Sequence, residues 1–254
     1  MRRAGAMLRG TPLVFAHRGA SADAPENTMA AFRMAVEQGA DGLELDIHMS
    51  RDGHLVVIHD DTLQRTTRLR GLVVQRTAAE LARADASKRF PAYKGEPVPM
   101  LEEVLELARD AGLKINIELK SGKTPYPCME EEAVKQVRRY GLEAQAIFSS
   151  FEHERLVKLK ALAPDIETAV LFNRRMAEPS AYACSLGAGS LHPYYRLVTP
   201  EMVASAHQLG LAVRPYTVDG PRTARRLARM GVDAIITNVP AIMRGILTSP
   251  PSKR

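Results

Sequence analysis

The chain contains no tryptophan, two cysteines and few aromatic residues: six phenylalanines and seven tyrosines among 254 residues. Two cysteines, Cys128 and Cys184, are too few and too far apart for a disulfide framework, a zinc site or a redox pair, and free thiols point to a reducing compartment. No stretch offers the roughly 20 consecutive apolar residues of a membrane span. The basic start, Met1 to Gly10, lacks an apolar run of signal-peptide length. The expectation is a cytoplasmic protein without a stable membrane anchor. Charge of one sign is also scarce where it would matter. The net charge is +6, but Arg2, Arg3, Arg9, Lys253 and Arg254 supply five of those charges at the two ends. The body is nearly balanced, which argues against nucleic acid as a partner. Arg222, Arg225, Arg226 and Arg229 share one helical face, as expected of the solvated side of an outer helix.

What is present is a regular alternation. Short apolar strands and helical patterns follow one another: strand 13–17, helix 27–38, strand 41–47, then helix 101–111, strand 114–120, helix 130–140, strand 145–149, helix 152–162, strand 166–172, helix 177–185, strand 190–192, helix 200–209, strand 212–218, helix 221–230, strand 234–237, and a last helix after Pro240. Eight βα units in this length favour a closed α/β barrel, a (β/α)8 TIM barrel, over an open doubly wound sheet. The barrel is one catalytic domain over residues 11–248. The rhythm breaks once. Asp52-Gly53 is a hairpin signal between two strand-like runs, and residues 60–99 carry little periodicity. Residues 48–99 therefore read as a small insertion after the second barrel strand, forming a wall or lid of the site.

Strand alternation then gathers the charged residues. Glu44 and Asp46 share one face of their strand, opposite Leu43, Leu45 and Ile47. Asn116, Glu118 and Lys120 share one face of theirs, opposite Ile115, Ile117 and Leu119. With the apolar faces against outer helices, Glu44, Asp46 and Glu118 converge in the barrel mouth. Three such carboxylates repel one another and any anionic substrate unless a cation neutralises them. An all-oxygen set favours one hard divalent cation, Mg²⁺ or Ca²⁺; structural salt bridges are the competing explanation. Arg18 and Lys120 are placed to hold a phosphate. His17 and His59, each at a strand end, suit an acid-base pair near neutral pH. His48 continues the inward face of Glu44 and Asp46 and is the least certain of the other histidines. Glu26 and Asn27 either orient neighbouring site groups or, for Asn27, cap the first helix.

These residues resemble the glycerophosphodiester phosphodiesterase family. The likeness is carried by His17-Arg18-Gly19 with Glu26-Asn27-Thr28, Gly42-Leu43-Glu44-Leu45-Asp46, Asp52-Gly53, Val57-Ile58-His59-Asp60, Thr62-Leu63, Arg65-Thr66-Thr67, Asn116-Ile117-Glu118-Leu119-Lys120, Ser149-Ser150-Phe151 and Ile236-Thr237-Asn238-Val239-Pro240. It spans roughly residues 13–245. The resemblance implies a (β/α)8 barrel with a small insertion and hydrolysis of a small-molecule glycerophosphodiester to sn-glycerol 3-phosphate and an alcohol. It implies metal binding by Glu44, Asp46 and Glu118, acid-base work by His17 and His59, and phosphate contacts from Arg18 and Lys120. Similarity to the phosphatidylinositol-specific phospholipases C implies a two-step path through a cyclic phosphate. The chain departs from the family at Tyr216-Thr217-Val218-Asp219, where Trp-Thr-Val-Asn is frequent, and at Asn238, where Asp is common. Two alternatives accompany this reading: a lysophospholipase D-type lipid hydrolase, and a non-catalytic anion-binding barrel.

Overall fold

The computed structural model describes residues 10–121 and 126–248; the basic ends read from the sequence lie outside them. Among the described residues there are nine strands, of which all but β3 belong to an alternation with helices. The strands are β1 (Leu13–His17), β2 (Gly42–Met49), β3 (Leu55–Val57), β4 (Lys114–Leu119), β5 (Ala146–Ser150), β6 (Glu167–Phe172), β7 (Ser190–Pro193), β8 (Ala212–Val213) and β9 (Ala234–Thr237). The helices are α1 (Met29–Glu37), α2 (Ala78–Leu81), α3 (Leu101–Asp110), α4 (Met129–Arg139), α5 (His153–Leu162), α6 (Pro179–Ser185), α7 (Pro200–Gln208), α8 (Pro221–Met230) and α9 (Pro240–Thr248).

Eight of these strands run parallel in the order β8-β7-β6-β5-β4-β2-β1-β9. The seam between β8 and β9 is closed by backbone bonds from Asp233 N–H to the Val213 carbonyl (2.9 Å) and from Ile236 N–H to the Pro215 carbonyl (3.0 Å). This is a (β/α)8 TIM barrel. One expected strand is shorter than its apolar pattern suggested. Of residues 212–218, regular pairing covers Ala212–Val213; beyond it Arg214 and Tyr216 still donate to the Leu191 and Pro193 carbonyls of β7, while Pro215 between them has no N–H to give. β2 runs two residues past its expected end, to Met49, and pairs antiparallel with β3 through Ile47, His48 and Met49. Between β3 and α3 the chain makes short helical turns and α2 over a small apolar cluster of its own, with Val56, Leu63, Val73 and Leu81 fully buried.

Register explains which residues face inward. His17 lies beside Glu44 and Phe15 beside Gly42, while Glu44 pairs with Asn116 and Asp46 with Glu118. The odd residues of β2 and β4 (Leu43, Leu45, Ile47, Ile115, Ile117, Leu119) pack outward into the main core with Phe32 of α1 and Leu101 and Leu105 of α3. A smaller cluster of Phe15, Ile147, Ala169, Ala234 and Ile236 plugs the barrel interior. The inward polar groups therefore sit on a packed apolar floor, at the C-terminal ends of the strands. The arginines of α8 fall on its outer side, with Arg222, Arg225 and Arg229 exposed.

Two glycines make this arrangement sterically possible. A Cβ at Gly42 would lie 2.7 Å from the Phe15 ring, and one at Gly19 would lie 2.6 Å from the Ala31 backbone. Gly42→Ala should thus lower stability by about 1–3 kcal/mol, the usual cost of an extra carbon in a packed interior. Urea unfolding would read this as a lower midpoint at unchanged slope; an unaltered midpoint would contradict the packing.

Candidate active site

The strand ends surround a cavity of about 580 Å³, lined on one side by His17, Arg18, Glu44, His59, Glu118 and Lys120, and on the other by residues such as Phe151, Leu171, Tyr194 and Tyr216. Asn173, Arg174 and Thr217 line it too, so the aromatic rings share their side of the cavity with polar groups and a further cation. Carboxylate oxygens of Glu44, Asp46 and Glu118 lie within 4.8 Å of one another, and all three residues are buried. Burial and repulsion from Asp46 and Glu118 raise the Glu44 carboxyl well above its ordinary range. Burial and Asp46 raise Glu118 to about 7. For Asp46 burial also opposes ionisation, but Lys120 and Arg18 outweigh it and hold the carboxyl well below its usual value.

The cations lie on these acids. Arg18 Nε is 3.1 Å from Asp46 Oδ2, and its Nη1 donates to Glu26 Oε1 at 2.8 Å. Lys120 Nζ is 2.6 Å from Glu118 and 3.3 Å from Asp46. The turn after β1 aims Arg18 inward. Arg18 has a φ of 57° and Gly19 one of 81°, a left-handed pair that only glycine adopts freely, and the Arg18 N–H is held 2.8 Å from the Glu44 carbonyl. Beyond Glu26, Arg65 donates to both Glu26 (2.6 Å) and Asp60 (2.6 Å). In this connected network five carboxylates (Glu26, Glu44, Asp46, Asp60, Glu118) face three cations (Arg18, Arg65, Lys120). With all five carboxylates ionised the deficit of two charges equals one divalent cation, and the donor set is all oxygen. The three converging acids therefore fit such an ion.

Both histidines stand on the rim of this cluster, and each is fixed from behind. His17 Nδ1 is 2.7 Å from Asn238 Oδ1, while its Nε2 is 3.9 Å from Glu44. Burial and the Arg18 charge push His17 down to about 4. His59 Nδ1 is 2.6 Å from the Asp60 carboxylate, so Nδ1 carries the proton and Nε2 is left for the cavity. His59 reaches the site from the segment after β3. It is anchored there by His48, whose Nε2 is 3.0 Å from the His59 carbonyl and whose Nδ1 is 2.7 Å from the Tyr126 hydroxyl. His48 is therefore a strut beneath His59, its inward direction used to hold a neighbour. Asn27 is not the helix cap: Thr28 accepts from Ala31 N–H at the start of α1. Asn27, at a φ of 56°, instead donates to Asp46 Oδ2 at 2.8 Å. Asparagine tolerates that backbone better than most residues.

Sequence reasoning gave Arg65, Asn238, Ser21 and Asp219 no role in holding site groups. Their partners are 39 residues away for Arg65 and Glu26 and 221 for Asn238 and His17. The Arg65-Thr66-Thr67 and Thr237-Asn238 strings were the available signals.

Residues 17–242 match the sequence profile of the Glycerophosphoryl diester phosphodiesterase family. A glycerophosphodiester phosphodiesterase from Caldanaerobacter subterraneus subsp. tengcongensis is 44% identical over 229 residues, which are 90% of this chain and 94% of that protein. Among solved structures, an Oleispira antarctica phosphodiesterase in complex with the product sn-glycerol-3-phosphate superposes with a TM-score of 0.86 at 32% identity, covering 94% of this chain and 98% of that one. A glycerophosphodiester phosphodiesterase from Agrobacterium tumefaciens str. C58 gives 0.81 at 31%, covering 92% and 99%.

The Arg65 network makes the fold sensitive to acid. Burial works against the ionised Asp60 carboxyl, but hydrogen bonds from Arg65 and His59 outweigh it and bring the group down from 3.8 to about 2. A carboxyl depressed in the folded state contributes stability above its ordinary value and loses it as pH falls through the folded one. Between pH 3.8 and about 2 the native chain should lose stability more steeply than Asp60→Asn. Parallel acid-unfolding curves would show that the pairing has no energetic weight.

Proposed function

As the chain belongs to the glycerophosphoryl diester phosphodiesterase family, we propose that it hydrolyses glycerophosphodiesters to sn-glycerol 3-phosphate and an alcohol, using one divalent cation and the His17/His59 pair. The observation that carries this reading is the meeting of Glu44, Asp46 and Glu118 within 4.8 Å, in a cavity that His17, His59, Arg18 and Lys120 also line. The product-bound relative supports the choice of substrate class.

In this reading Glu44, Asp46 and Glu118 hold Mg²⁺ or Ca²⁺. When bound, such an ion would neutralise the acids, ease deprotonation of a nearby hydroxyl and offset charge on the phosphate oxygens. Arg18 and Lys120 then turn part of their charge to the substrate phosphate, Arg18 through its planar fork. The glycerol 2-hydroxyl attacks phosphorus in the first step, and proximity within one molecule favours that attack. One imidazole takes the hydroxyl proton while the other gives a proton to the departing alcohol oxygen. Water opens the cyclic phosphate in the second step, with the two rings exchanging roles. Residues 48–99 supply His59 and serve as one wall of the site. The balanced body and two unpaired cysteines support a cytoplasmic enzyme with a small-molecule partner and no nucleic acid. None of the described helices is long and apolar enough to cross a membrane.

Incubation with glycerophosphocholine should release sn-glycerol 3-phosphate. EDTA should stop the release, and Mg²⁺ or Ca²⁺ should restore it. Turnover unaffected by EDTA would remove the metal from the scheme. His17→Ala and His59→Ala should each lose about 10²–10⁴-fold in rate while retaining the circular dichroism of the parent. A 2-deoxyglycerol analogue should be inert; full turnover would eliminate the cyclic route. Faster cleavage of a lysophospholipid than of glycerophosphocholine would favour the lipid hydrolase instead, and no cleavage of either would favour the binding barrel.

A further inference from the structure

We propose that Asp219 is a positioning residue for His17 and acts through the side-chain amide of Asn238. The inference deepens the reading of His17 as an acid-base group and rests on it. It stands on a chain of hydrogen bonds in which each donor fixes the next. Asp219 Oδ2 is 2.7 Å from Asn238 Nδ2, and its Oδ1 accepts from the Asn238 backbone N–H at 2.8 Å and from the Thr237 hydroxyl at 3.0 Å. A carboxylate can accept and cannot donate. The NH₂ end of the Asn238 amide must therefore face Asp219, and its carbonyl oxygen must face the other way. That oxygen lies 2.7 Å from His17 Nδ1 and 2.8 Å from the Ser21 hydroxyl. The Ser21 hydroxyl is also 2.7 Å from the His17 carbonyl, so its single proton is shared between the two oxygens.

A carbonyl oxygen has no proton to give, so His17 Nδ1 carries the hydrogen. Neutral His17 then presents the lone pair of Nε2 to the cavity. Without the carboxylate, the Asn238 amide could turn over and place its NH₂ against Nδ1. That would favour the opposite tautomer, in which Nε2 is protonated and useless as a base. Asp219 thus selects which ring nitrogen meets the substrate without touching the substrate. The two site histidines are set by different means. His59 is backed directly by the Asp60 carboxylate at 2.6 Å, whereas His17 is backed by a neutral amide with a carboxylate one step behind it.

The test uses the full chain with ¹⁵N-labelled histidine. At neutral pH, with and without Mg²⁺, the long-range ¹⁵N spectrum of the native protein should show His17 as a single Nδ1–H tautomer. Asp219→Leu should broaden or reverse that pattern and lower kcat about 10-fold or more, as loss of a group orienting a site ligand usually does, with KM changed less than twofold. The double exchange Asp219→Asn with Asn238→Asp should restore both readouts: the carboxylate then at position 238 accepts from Nδ1, and the amide at 219 donates to it. Asp219 is exposed, and thermal melts will show that each variant is folded. An unchanged His17 pattern in Asp219→Leu, or a folded double exchange that restores neither readout, would overturn the proposal. A tautomer that responds as described in a protein without phosphodiesterase turnover would overturn the functional reading and leave the assignment of Asp219 standing.

Discussion

The mouth of this barrel is organised by electrostatic frustration. Three carboxylates are forced together by strand register, with Glu44 and Asp46 two residues apart on β2 and Glu118 beside Asp46 on β4. Hydrophobic packing of the opposite strand faces against α1 and α3 fixes their direction. Burying like charges is costly unless opposite charge is supplied, and the surroundings supply it in part. Arg18, Lys120 and Arg65 are drawn in, a left-handed turn at Arg18-Gly19 is stabilised by Glu44, and Asn27 turns its amide toward Asp46. With every carboxylate ionised, the network is left two positive charges short.

The second wall is of a different character. Tyr216 lies 6.2 Å from Phe151 and 6.4 Å from Tyr194, centroid to centroid, and Phe151 is 43% exposed. These rings share the cavity lining with Asn173 and Arg174, so this side joins aromatic faces to polar groups. Tyr216 takes the position where the resemblance suggested tryptophan. It keeps an aromatic face and adds a hydroxyl, whose ionisation is suppressed by burial.

Much of this was legible in the sequence because the fold obeys simple periodicities. Alternation in 43–47 and 114–120 names the inward acids correctly because β-strands leave no other choice. The strand at 212–218 is the instructive exception. Its residues read as strand, yet regular pairing covers only Ala212–Val213, and barrel closure there depends on the backbone of residues 213–218 meeting that of 233–236. Groups that orient the histidines were not legible. Asn238 and His17 meet because β9 closes on β1, a long-range fact with no local pattern. Asn27 and His48 were each seen as ambiguous for a sound reason: helix capping and inward direction are local properties, but the partner that decides between uses lies elsewhere in the chain.

His59 comes from a peripheral segment with an apolar cluster of its own, built around Val56, Leu63, Val73 and Leu81. It is tied to the barrel by the pairing of β3 with β2 and by the His48 imidazole under its carbonyl. Those fastenings act on residues 55–59, and the outer stretch packs on the same residues: Leu81, Ala84, Ala86 and Val98 share one apolar cluster with Val56 and Ile58, while Glu96 accepts from the Ala30 N–H of α1 at 2.8 Å. A change in the outer stretch is consequently felt at Val56 and Ile58, the residues that lead into His59. The position of the His59 imidazole and the shape of the neighbouring rim are thereby coupled through one shared apolar cluster.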